Sequence, residues 1–156
     1  MKVAAGLMRW GHRGRRLWWK VRKPSSYGVK VLLLHPDDPS RCLVVRHSYV
    51  DRSWWALPGG GYNPKRETAA AAAIREVSEE LSLTITQPPR VLDTLVTTRE
   101  GKVDCLTIFL AEPISPEFRI NSELTEARWV STTLAELPPD APVSRWLKMA
   151  LAAQAG

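Results

Sequence analysis

From residue 27 onward, apolar positions fall in short β-branched runs separated by turn-forming residues, and helical spacing takes over in two places. Residues 27–34 (YGVKVLLL) and 42–46 (CLVVR) are apolar runs divided by HPDDPSR. Asp37, Asp38 and the flanking prolines are turn formers, so the pattern predicts a strand–loop–strand hairpin. Residues 65–81 are rich in Ala, Glu and Arg and contain no Gly or Pro, which predicts a helix, and Pro88 and Pro89 follow its end. Further strands are predicted at 91–97, 103–111 and 127–131, and a closing amphipathic helix at 143–153. No internal repeat or low-complexity linker divides this region. Strands interleaved with two helices predict an α/β (α+β) layered domain over residues 25–156.

The first 24 residues have a different character. Leu7, Trp10, Leu17, Trp18 and Val21 fall near one face at helical spacing, with arginines mostly on the other, so a basic amphipathic helix is expected over 1–24. Gly11 and Gly14 weaken it by roughly 1 kcal/mol each relative to Ala, and Pro24 ends it. The segment lacks the continuous apolar core and cleavage site of a secretory signal. Three tryptophans among basic residues suit packing on the domain or on a second copy as a homodimer contact. An anionic membrane surface is the second reading, and RNA through stacking ranks below both.

Charge sharpens that division. The whole chain carries a net +6, but residues 1–23 hold eight basic side chains and no acidic ones. The remaining 133 residues hold 14 basic and 16 acidic groups, a net of −2. The basic character belongs to the N-terminal segment, which argues against nucleic acid as a partner of the domain. At 156 residues the chain is one ordinary domain able to bury a core. No run approaches the roughly 18 apolar residues that span a bilayer. Two isolated cysteines, Cys42 and Cys105, exclude a disulfide scaffold and a Cys-based zinc site, and read as reduced core residues. The composition fits a cytoplasmic protein, with the inner face of the membrane as the alternative location.

The chemistry is concentrated in residues 54–85. Gly59, Gly60 and Gly61 form a turn whose backbone can approach a ligand closely and take positive φ angles. A helix N-terminus near Pro64 to Thr68 favours anions. Glu76, Glu79 and Glu80, spaced i, i+3, i+4, share one helical face and repel one another. Arg75 is rotated by about 100° from Glu76, so it is not expected simply to neutralise the cluster. Oxygen-only ligands select hard cations, Mg²⁺ first and Mn²⁺ next, although a solvated acidic face has the same pattern.

The full spacing resembles the Nudix hydrolase signature, G-x5-E-x7-R-E-U-x-E-E-x-G-U, with U aliphatic. Gly61 is followed after five residues by Glu67, and after seven more by Arg75-Glu76-Val77-Ser78-Glu79-Glu80-Leu81-Ser82-Leu83. The signature covers 23 residues, and the flanking strand pattern and ARWVS are similar to the rest of that domain. There are two departures. Pro58 to Glu67 is one residue longer than the family spacing. Ser82 stands where the family has glycine as a left-handed helix cap, which should cost about 1 kcal/mol or rearrange the helix end.

The resemblance implies the Nudix fold, a mixed β-sheet sandwiched between helices, and a Mg²⁺-dependent pyrophosphohydrolase, with Mn²⁺ as a substitute. The substrate class is a nucleoside diphosphate linked to another moiety X: a nucleotide, nucleotide sugar, ADP-ribose or nucleoside triphosphate. It makes Glu76 and Glu80 metal ligands and Glu79 a third ligand or a holder of bound water. The general base is Glu76 or a carboxylate outside the signature, with Glu123 in INSELTEARWV as the best such candidate. Glu67 and Arg75 are expected to form a structural ion pair. Arg46 is a candidate phosphate contact, and Trp55, beside Trp54, a candidate for stacking on a base. None of the added motifs that go with a particular X is complete: the SQPWPFP array is absent, residues 97–102 lack a proline or tyrosine, and LVVRHSYVDRSWWALPGG only partly resembles the coenzyme A pattern. The other readings are a Nudix-fold nucleotide sensor without catalysis and a hydrolase held at the membrane by residues 1–23.

Overall fold

A computed structural model describes residues 25–49, 51–99 and 102–156. The basic helix expected over 1–24 lies outside the described residues. The elements in order are β1 (Ser25–His35), β2 (Asp38–His47), β3 (Gly59–Gly61), α1 (Ala69–Leu81), β4 (Arg90–Arg99), β5 (Lys102–Ala111), β6 (Leu124–Ser131) and α2 (Arg145–Ala155). The strands run β4-β5-β1-β2-β6 across one sheet, with β3 added to β1. Among the described strands, β1 and β5 pair in parallel and the other strand pairs are antiparallel.

The continuous apolar run of β1 is explained by burial on both faces. Val29, Val31 and Leu33 pack with Leu43, Val45 and the α1 residues Ala72, Ala73, Val77 and Leu81. Leu32 and Leu34 point the other way, to Cys42, Val44, Trp55, Leu57 and, from α2, Leu147 and Ala150. A helix therefore covers each face of a mixed sheet, as expected. Cys42 is buried, which pushes its thiol up to about 11, whereas Cys105 is only partly buried.

β1 and β2 part company along their length. They pair at Leu34–Cys42 and His35–Asp38, beside the Pro36-Asp37 turn. Further along, the chain from Trp55 to Gly61 occupies the gap between them. Ala56 pairs with Val45, the Val31 N–H donates to the Pro58 carbonyl (3.0 Å), and Gly59–Gly61 pair with Lys30–Gly28. The glycine turn is thus held by the central strand of the sheet.

Both helices start later than the pattern predicts. Lys65–Glu67 have good helix propensity, but Asn63 captures them in a turn: its Oδ1 accepts from Lys65 N–H (3.0 Å) and its carbonyl from Arg66 N–H (2.9 Å). Thr68 then caps α1, its Oγ1 accepting from Ala71 N–H (3.1 Å). Ser144 caps α2 in the same way through Leu147 N–H (3.2 Å). Among the described residues, no helix is long and apolar enough to cross a membrane.

Candidate active site

α1 lays one edge of its acidic face under the glycine turn. Glu76 and Glu80, one helical turn apart, are both fully buried. Gly59 has φ 144° and donates its N–H to Glu80 Oε2 (3.2 Å). A methyl group there would stand 2.1 Å from the Val29 carbonyl oxygen, so no other residue fits. Gly60 lies directly over Glu76: a methyl group would come within 2.8 Å of its carboxylate. Of the three glycines only Gly59 takes a positive φ, and at Gly61 a methyl group would make an ordinary 3.6 Å contact. The tight constraints therefore fall on Gly59 and Gly60.

The Glu76–Glu79–Glu80 face divides. Glu76, Glu80 and Glu123 each offer a carboxylate oxygen, and these lie within 4.8 Å of one another. Glu79, about half exposed, stands apart and meets Arg75 Nη1 at 3.3 Å. Helical spacing puts all three α1 carboxylates on one face, but packing against β3 buries only the Glu76/Glu80 edge. Arg75 reaches further than its angular position suggests. Its Nε and Nη2 clamp Glu67 (2.7–3.1 Å), while Nη1 also touches Glu76 Oε1 (2.9 Å). The expectation that Arg75 leaves the cluster unneutralised is corrected for Glu76 and Glu79. These carboxylates, Glu67 first, hold Arg75 more firmly protonated than an ordinary guanidinium.

Glu80 is left with the deficit. Its Oε1 is buried and has no hydrogen-bond partner among the described residues. Burial, then Glu76 and Glu123, push its carboxyl up to about 8, against the opposing pull of Lys30 and the Gly59 N–H. An orphaned buried oxygen, an all-oxygen donor set and a carboxylate short of positive charge fit a hard divalent cation held by Glu76, Glu80 and Glu123.

Ser82 takes the left-handed conformation of the missing glycine (φ 55°, ψ 28°), and its N–H closes the helix on the Ser78 carbonyl. The helix end keeps its cap at the cost of a strained serine. The next exposed carbonyls are covered from outside: Leu81 accepts from Arg119 N–H (2.9 Å) and Glu80 from Asn121 N–H (3.0 Å).

Trp55, the candidate for stacking on a base, lies in the core. It is 1% exposed, and the Arg46 guanidinium lies 4.2 Å from its ring centre, with Arg128 at 5.3 Å. Pairing of Ala56 with Val45 turns Trp55 inward and leaves Trp54 exposed. Arg46 also pairs with Glu126 (3.4 Å), which in turn holds Arg128 (2.6 Å). Three residues near the site carry no signal in the signature: His47, buried, with Nε2 3.1 Å from the Leu57 carbonyl; Ser48; and Asn121. The Asn-x-Glu spacing of 121–123 is a local turn signal for the last of these.

A mixed sheet covered on both faces, with a glycine turn laid over a carboxylate-bearing helix, defines the Nudix class of fold. A profile of the NUDIX domain matches residues 25–148. Solved structures of similar fold include a MutT Nudix hydrolase from Burkholderia pseudomallei (21% identity, covering 83% of this chain and 97% of that one, TM-score 0.66). They also include a UDP-X diphosphatase (16% identity, 87% and 66% coverage, TM-score 0.64). A C. elegans Ap4A hydrolase is a third (22% identity, 84% and 98% coverage, TM-score 0.58). No curated protein matches the sequence. The chain belongs to the Nudix family of hydrolases.

Proposed function

We propose that this chain is a Mg²⁺-dependent pyrophosphohydrolase that cleaves a nucleoside diphosphate linked to another moiety. The observation that carries the reading is the buried, unpartnered Glu80 Oε1 beside Glu76 and Glu123. When bound, the divalent ion would neutralise charge on the diphosphate and lower the pKa of the attacking water. Glu76 and Glu80 would hold the ion from α1. Glu123 closes the cradle and, as the one member with partial exposure, takes the proton of the attacking water. Arg75 and Glu67 hold Glu76 in place, and Gly59 and Gly60 give the turn its close approach to both carboxylates. The UDP-X and Ap4A of the two named neighbours belong to the same chemical class, and X stays a class here.

The test is turnover of a panel with Mg²⁺: nucleoside triphosphates, ADP-ribose, nucleotide sugars, dinucleoside polyphosphates, NADH, coenzyme A and capped RNA. Glu80→Gln is run alongside. Turnover of one class, lost in the variant, supports the hydrolase and names X. Nucleotide binding with no turnover in any class would replace it by a sensor. On the membrane-peripheral reading, removing residues 1–23 abolishes binding to anionic liposomes and leaves turnover of soluble substrates unchanged.

A further inference from the structure

Glu123 comes from a loop far along the chain from α1, yet it must stand in register with two carboxylates fixed in the core. The link between them is short. The Glu80 carbonyl, left open at the end of α1, accepts from Asn121 N–H (3.0 Å). Asn121 Oδ1 then accepts from Glu123 N–H (2.9 Å). Glu80 therefore gives its carboxylate to the cradle and its carbonyl to the loop that delivers the third member. The opposite flank of the loop is fixed by the residue that follows β2: Ser48 N–H donates to the Glu123 carbonyl (2.8 Å) and Ser48 Oγ to the Ser122 carbonyl (3.0 Å). Buried Leu124 anchors the start of β6, its N–H on the Asn121 carbonyl (3.3 Å).

We propose that Asn121 is a positioning residue whose side chain holds Glu123 against Glu76 and Glu80. Of the three Asn121 hydrogen bonds described, only the one to Glu123 uses the side chain, so substitution removes that link and leaves the backbone hooks to Glu80 and Leu124. The inference rests on the reading that the three carboxylates hold a divalent ion.

The experiment is a double-mutant cycle on the full chain, read as Mn²⁺ affinity from the electron paramagnetic resonance signal of free Mn²⁺. Asn121→Ala is expected to weaken Mn²⁺ binding about tenfold, the effect of roughly one hydrogen bond to an ordered group. Glu123→Gln weakens it at least as much, and the double variant no further. Asn121→Asp, which keeps the acceptor, stays within about threefold of wild type and keeps the Glu123 amide protected from hydrogen exchange; Asn121→Ala loses that protection. A purely structural Asn121 would instead cost the same in the Glu123→Gln background as in wild type, which overturns the proposal. So does wild-type affinity in Asn121→Ala. If Asn121→Ala does not fold, Asn121→Ser, with a shorter acceptor, completes the cycle. A wild-type chain that binds Mn²⁺ and hydrolyses nothing refutes the proposed activity alone. One that binds no Mn²⁺ refutes both.

Discussion

A single methyl group at Gly60 should disable the site while leaving the fold largely in place. The backbone at Gly60 is outside the left-handed region, so alanine is tolerated by the main chain. The conflict is with the Glu76 carboxylate, which the new carbon would approach to 2.8 Å where contacts normally begin near 3.4 Å. The carboxylate must retreat by about 0.6 Å. It cannot swing into solvent, because Glu76 is fully buried and pinned by Arg75. Overpacking of this kind costs about 1–3 kcal/mol. A comparable displacement of a positioned group costs on the order of 10²-fold in rate. Gly60→Ala is therefore expected to lower Mg²⁺-dependent turnover about a hundredfold and Mn²⁺ affinity measurably, with a cooperative thermal transition still present. Gly61→Ala is the internal control, expected within about 0.5 kcal/mol of wild type because its methyl meets only the Tyr27 carbonyl at 3.6 Å. Turnover and Mn²⁺ affinity of Gly60→Ala within twofold of wild type would refute the reasoning. Equal damage at Gly61 would do the same.

Three further predictions use the same geometry. Glu80→Gln should lose at least about a hundredfold in turnover and Glu79→Gln less than about tenfold, since of these two Glu80 alone stands in the cradle; equal losses would return Glu79 to the ligand set. Arg75→Gln leaves buried Glu76 without its guanidinium and should cost about 2–4 kcal/mol in urea unfolding, a figure that an unchanged midpoint would contradict. Ser82→Gly removes the left-handed strain at the end of α1 and should stabilise by about 1 kcal/mol at unchanged turnover; destabilisation would mean that the Ser82 Oγ contact with the Arg119 carbonyl (3.4 Å) matters more than the strain.

The spacing of the signature made the family and the chemical type of the site legible, because charge identities at fixed helical offsets survive any detail of packing. Which edge of the acidic face is buried was not legible. Periodicity treats Glu76, Glu79 and Glu80 alike, and only the strand laid over α1 separates them. The α1 start was hidden because Lys65–Glu67 favour a helix, while Asn63 and Thr68 capture the backbone through side-chain oxygens. Trp54 and Trp55 are equivalent in composition, and the bridges of Ala56 to Val45 and of Trp55 to Val143, between segments distant in sequence, go with Trp55 inside and Trp54 outside. Glu123 was visible as a candidate by type and position, but its link to α1 is a pair of hydrogen bonds between segments distant in sequence, and these leave no periodic trace.

The parallel pairing of β1 with β5 also dictates a timetable. Ser25 to Leu33 take as partners Val103 to Ala111, 78 positions further along, and the same β1 carries the glycine turn on its other edge. A chain emerging from the ribosome exposes the apolar run of β1 long before its partner exists, and closing so large a loop is slow. Until residue 111 has been made, the β5-facing side of the strand that braces the active-site turn has no partner and is an adhesive edge, a ready target for chaperones and for aggregation during synthesis.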